Sequence, residues 1–230
     1  MDSVLSFAAA LVASGFTATL VASHLRRQRP HVAAWSVAMF MYSLATWALW
    51  WGLTSGWSDG SFRVFYLFGA ILNVPFLALG AAFLVVGGRW GMALLVFFAA
   101  FGAGAGAATL GADFVATLPV EQLPAGSEVF AGLSEGIATP RLWALVANVS
   151  GTALLVGLAV TTIVRFRLTN RRLVLGNSLI VIGAIAPAIG GSLTGLGEGG
   201  GLAATLLVGA GSLWLGFAVA SSSRVAAERT

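Results

Sequence analysis

The stretch SHLRRQRPH, residues 23–31, holds three of the chain's twelve arginines and both of its histidines. Long apolar runs flank it, VLSFAAALVASGFTATLVA before and VAAWSVAMFMYSLATWALW after. Each run is close to the ~20 apolar residues that a helix needs to cross hydrocarbon. The stretch between them therefore reads as a tight turn at a membrane surface. Pro30 suits the start of the second helix, because the first helical turn does not use the N–H that proline lacks. Two roles are open to the turn. His24 and His31 sit at similar heights and could face each other as a haem or metal pair. The simpler reading is an anchor, with interfacial histidines and three arginines that hold orientation and reach anionic lipid phosphates.

The rest of the chain repeats the pattern. It is 58% hydrophobic and 9% charged, against about 25% charged in a soluble domain. Its mean hydropathy is +0.94. Seven stretches are apolar enough to span: residues 3–24, 32–54, 64–87, 90–112, 142–164, 173–196 and 201–221. The connections are short and turn-rich, except for one loop over 113–140. The N-terminus has no basic region and a long apolar run, so it reads as a retained first span and not as a signal peptide. The expected fold is all-α: a polytopic membrane protein, residues 1–230 forming one seven-helix transmembrane domain.

Arginine placement orients it. Putting the first turn in the cytoplasm also puts Arg89, Arg165, Arg167, Arg171, Arg172, Arg224 and Arg229 there, and leaves only Arg63 and Arg141 outside. Cytoplasmic loops collect arginine in this way. Asp2, Asp59, Asp113, Glu121, Glu128, Glu135 and Glu198 fall outside, and Glu228 inside. A missed span would scramble that alternation. The expected topology is N-terminus outside and C-terminus cytoplasmic.

Composition removes several activities. With no cysteine there is no disulfide, thiolate nucleophile or cysteine metal site. With no lysine there is no Schiff base to retinal or pyridoxal phosphate. No span carries a charged residue near its middle, which argues against ion-coupled pumps, and no acid or histidine lies at membrane depth for catalysis. The chain is expected not to be an enzyme and to carry no cofactor and no metal. Its +4 charge resides at membrane edges, so nucleic acid is not an expected partner.

Polar and kinked positions gather near the midplane: Tyr42, with Thr46 and Trp47 a turn on, Asn73, Pro75, Pro187 and Trp214. Mid-span prolines free a carbonyl and bend a helix, and such bends often line cavities. Tyr42, Asn73, Pro75, Pro187 and Trp214 are the candidate ligand-binding residues around one midplane cavity. The competing reading has Asn73 bonding across to another helix and the prolines only shaping theirs. Trp50, Trp51, Trp57 and Trp143 fall at the outer interface and Trp35 and Trp90 at the inner one, as an aromatic belt. The pairs Gly102/Gly106 and Gly191/Gly195 have GxxxG spacing, which suits close packing within the bundle or a homodimer through span four or six.

In the long loop, SEVFAGLSEGIA (127–138) places Val129, Phe130, Leu133 and Ile137 at helical spacing, with Ser127 as N-cap. That predicts a short amphipathic helix lying over the bundle or on the membrane, as a lid or a cover. NVS (148–150) matches a glycosylation pattern but lies inside a span and is set aside.

The span count and orientation resemble the seven-helix rhodopsin and receptor folds, although GLAATLLVGAGSLWLGFAVASSS (201–223) lacks the retinal lysine that resemblance would require. FRVFYLFGAILNVPFLALG (62–80) and RRLVLGNSLIVIGA (171–184) look like stretches of uncharacterised seven-span proteins of GC-rich bacteria, a resemblance that implies a bacterial inner (plasma) membrane location and no particular activity. Two functions are expected from the residues. One is binding, transport or conduction of a small apolar or neutral solute or lipid through the midplane cavity. The other is a non-catalytic scaffold that assembles with another membrane protein.

Overall fold

The structure is a computed structural model that describes residues 1–118, 123–195 and 201–227. It holds seven helices long and apolar enough to cross a membrane. These are α1 (Asp2–Arg27), α2 (Pro30–Ser55), α3 (Asp59–Val85), α4 (Gly88–Gly111), α5 (Pro140–Phe166), α6 (Arg171–Gly195) and α7 (Leu202–Ala227). Each expected span coincides with one of them apart from small differences at the ends. Glu121, Glu198, Glu228 and Arg229 fall outside the described residues.

Local chemistry sets the helix ends. Gln28 takes a left-handed conformation (φ 44°) and donates its N–H to the His24 carbonyl, closing α1. His24, Arg26 and Arg27 sit in that last turn, where positive charge meets the negative end of the helix dipole. Arg29 is extended and Pro30 opens α2. The α2–α3 connection is shorter than the sequence suggested. Ser58 and Ser61 cap each other reciprocally, N–H to Oγ at 3.1 and 2.9 Å, so α3 already starts at Asp59. Arg63 then reaches α4 and donates to the carbonyls of Thr109 and Ala112, capping the C-terminus of α4 while lying over the Phe114 ring.

The bundle is a ring with one helix outside it. α1 packs on α2 and α7, α2 on α3, α3 on α5, α5 on α6, and α6 on α7; α4 leans mainly on α3. Two ends can be distinguished. The arginine end carries the α1–α2, α3–α4 and α5–α6 turns. The loop end carries the α2–α3 turn and the long loop. Phe16, Leu20, Met39, Leu77, Leu155 and Leu213 form the central core, and Phe62, Ile71, Val129 and Phe130 a second one at the loop end.

The tightest packing is between α6 and α7, and Gly191 takes no part in it. A Cβ on Gly183 would stand 2.8 Å from the Leu213 nitrogen and 2.9 Å from the Gly209 carbonyl. A Cβ on Gly216 would stand 2.7 Å from the Gly176 carbonyl. Gly176, Gly183 and Gly190 are seven residues apart, as are Gly209 and Gly216. Seven residues are two helical turns, the repeat that keeps one seam facing a neighbour in a shallow left-handed crossing. By contrast, Gly106 and Gly191 have open space where a Cβ would be, and Gly102 only approaches Leu72.

The loop departs from its expected single amphipathic helix. It forms one α turn, Gly126–Val129, and a separate 3-10 stretch, Leu133–Ala138. Phe130 between them is extended, and Gly136 has φ 58°, which interrupts the helix. Ser127 is not the cap. Glu128 instead accepts the Ala125 N–H through Oε2 at 3.0 Å. Val129 and Phe130 are buried, whereas Leu133 and Ile137 are 48% and 76% exposed. The four apolar residues therefore do not share a face.

Candidate functional site

The loop end of the bundle contains a cavity of about 420 Å³ between α2, α3, α5, α6 and α7, roofed by residues 123–127. Its position follows from α3. Over Phe65–Leu72 that helix is wound as a π-helix, and it returns to α-helix at Asn73. The wider winding turns Tyr66, Gly69, Ala70 and Asn73 toward the cavity. Pro75 explains part of it. In π-winding the Ala70 carbonyl would receive the N–H of residue 75, and proline has none. Asn148 on α5 supplies the missing donor: its Nδ2 lies 2.7 Å from Ala70 O.

Three of the five candidate residues line this cavity and two do not. Tyr42, Asn73 and Pro187 are in its wall. The Tyr42 hydroxyl donates to the Leu206 carbonyl at 2.7 Å, tying α2 to α7. Both the Tyr42 hydroxyl and the Pro187 ring close on Gly209, where a Cβ would meet them at 2.9 and 2.8 Å. Asn73 donates from Nδ2 to Ala38 O at 2.8 Å, the cross-helix bond of the competing reading. Both readings of Asn73 thus describe the same side chain. Among the described residues none donates to its Oδ1.

Pro75 lies two residues beyond Asn73, about 200° around the helix, so it faces away from the cavity. It packs on α5 at Gly151, where a Cβ would stand 3.1 Å from the Pro75 nitrogen. Trp214 lies eight residues beyond Leu206, two turns further along α7 and turned toward α1. It stacks on Phe16 at 5.9 Å and fills the notch over Gly15.

Sequence reasoning passed over Asn148 and Tyr66, and it placed the cover at 127–138, whereas residues 123–127 form the roof. Asn148 carries a signal, an amide in the middle of an apolar run, which its glycosylation-like triplet obscures. Tyr66 touches Gly126 of the roof and meets Phe130 edge-on, ring centroids 4.9 Å apart. That contact had no local signature.

Among the described residues no charged side chain lines the cavity. Among the described residues no group of histidines and acids could hold a metal ion, and His24 instead faces the Arg29 carbonyl through Nδ1 at 3.3 Å. The site is an apolar chamber with a few amide and hydroxyl groups, suited to a neutral ligand. Along α3 it ends at Leu77. One turn on, at Ala81, a second and smaller pocket begins, opening at the arginine end. Met39, Leu77 and Leu213 belong to the buried core at this level, and Trp35 donates to the Leu77 carbonyl at 3.1 Å.

Comparison with protein-family models, curated proteins and solved structures gives no match for this chain.

Proposed function

We propose that this chain is a multi-pass protein of the bacterial inner membrane, N-terminus outside, which binds a small apolar or neutral solute or lipid in the loop-end cavity and passes it through the bundle. The supporting observation is the cavity: about 420 Å³ between five helices, with amides and hydroxyls but, among the described residues, no charge in its wall. A chamber of that kind favours neutral ligands, because an ion there would lose its hydration without a counter-charge. The single helical turn between the two pockets is what a conducting protein would have to open.

Native mass spectrometry of the full chain, released from neutral detergent, tests this. A stoichiometric small adduct is expected, lost in Ala188→Trp, which fills the cavity, and weakened in Asn73→Leu. A wild-type protein that carries no adduct and binds no neutral amphiphile or solute overturns the reading.

The alternative, a scaffold for another membrane protein, is favoured by α4. It stands outside the ring, and Trp90, Met92, Val96, Phe97 and Leu110 are exposed along it. A second polypeptide retained through purification, and lost when that face is altered, would select it.

A further inference from the structure

The turn that opened the sequence does more than edge the bundle. Ser23, Arg27, Arg29 and His31 line the arginine-end pocket, a cleft of about 90 Å³ with wall residues from every helix of the ring. Val32, Trp35, Leu84, Leu155, Leu158 and Phe217 make the rest of its wall mainly apolar, with Thr162, Asn177 and Ser221 beside them. No acid lines it. The described acids, Asp2, Asp59, Asp113, Glu128 and Glu135, all belong to segments at the loop end. Arg27 and Arg29 therefore lend their positive potential to the cleft with no carboxylate among the described lining residues to neutralise it, and low-dielectric walls focus such a potential. Guanidinium groups match phosphate and carboxylate oxygens in geometry as well as charge. Arg26, one residue away, behaves differently. Exposed like Arg27, it folds back to donate Nε–H to the Ala22 carbonyl at 3.2 Å and does not line the pocket.

We propose that this pocket is a binding site for an anionic amphiphile: a phosphate or carboxylate head held by Arg27 and Arg29, with its single apolar chain in the cleft behind them. The head alone would explain the arginines but not the apolar depth, and the chain alone would not explain the arginines. The site does not depend on the loop-end cavity, because the core at Met39, Leu77 and Leu213 separates the two.

The test is binding of dodecyl phosphate, dodecanol and inorganic phosphate to the full chain in neutral detergent, followed by thermal shift and native mass spectrometry. Dodecyl phosphate is expected to bind at one equivalent, at least about tenfold more tightly than either dodecanol or inorganic phosphate. Arg27→Gln with Arg29→Gln is expected to weaken it about tenfold or more. Leu158→Trp, which fills the apolar depth and leaves both arginines, is expected to weaken it as well. Arg26→Gln is expected to leave it unchanged. Equal binding of dodecanol removes the anionic head from the proposal, and equal binding of inorganic phosphate removes the chain; either overturns it. An Arg26→Gln effect as large as that of the pair, or no effect of the pair in protein that melts normally, also overturns it.

Discussion

Nδ2 of Asn148 on α5 lies 2.7 Å from the carbonyl oxygen of Ala70 on α3, the acceptor five residues before Pro75. The same Nδ2 is 2.8 Å from its own helix's Ala144 carbonyl. One amide thus bridges two helices at the point where a proline has removed a donor. Asn148→Leu is expected to destabilise the bundle by about 0.6–1.7 kcal/mol, the range for such bonds between membrane helices. Pro75→Ala restores an N–H, so the two changes together should cost less than their sum. A double-mutant cycle by denaturant unfolding in detergent micelles measures this, and strict additivity would contradict the assignment.

The α6–α7 seam predicts a contrast between glycines. Gly183→Ala and Gly216→Ala push a methyl group into facing backbone, an overpacking that costs about 1–3 kcal/mol. Gly191→Ala meets nothing within 4 Å and should leave the melting temperature nearly unchanged. Thermal unfolding of the three variants side by side decides whether this seam or the GxxxG pair carries the packing.

Phe130 holds the loop onto the bundle through Phe62, Tyr66 and Phe114, with ring centroids 4.9–5.8 Å apart. Phe130→Ala should release residues 113–139 without unfolding the helices, since large-to-small changes at buried aromatic sites cost about 3–5 kcal/mol. Limited proteolysis should then cut this loop much faster, while helical circular dichroism stays constant. Equal cleavage rates would show that the loop is held by something else.

The absence of cysteine makes the membrane orientation directly measurable. Ser134→Cys in the long loop should react with an impermeant maleimide added to intact cells. Thr169→Cys in the α5–α6 turn should react only after permeabilisation. The reverse pattern would invert the topology.

Tyr42→Phe removes the hydroxyl that bonds Leu206 and keeps the ring. A loss of about 0.5–1.5 kcal/mol in unfolding free energy is expected. Any neutral ligand of the cavity should still bind, because the wall keeps its shape. Loss of binding with unchanged stability would instead give the hydroxyl a direct contact with ligand.

The candidate site was half legible. Tyr42, Asn73 and Pro187 stood out as polar or kinking residues in apolar runs, and they do meet at one cavity. Pro75 stood out for the same reason and faces the other way, because two residues along a helix reverse direction. Trp214 was grouped by depth alone, yet depth does not say which way a side chain faces. The loop misled through periodicity: Val129, Phe130, Leu133 and Ile137 have helical spacing, but the chain is extended at Phe130 and turns at Gly136 (φ 58°), and only the first two residues point inward.

What the sequence by itself determined is the number of membrane-length helices, their approximate limits and the two chemically different ends of the bundle. These are local properties, since twenty apolar residues in lipid can satisfy their backbone only as a helix, and arginines mark the ends of the runs. What only the tertiary structure decided is which side chains meet: Asn148 with Ala70, Tyr42 with Leu206, the seven-residue glycine seam, and the arginine-lined pocket behind SHLRRQRPH. In a soluble bundle an apolar stripe reveals the inward face. Here lipid and core are equally apolar, so the inward face leaves almost no trace in the pattern, and helix packing alone selects it.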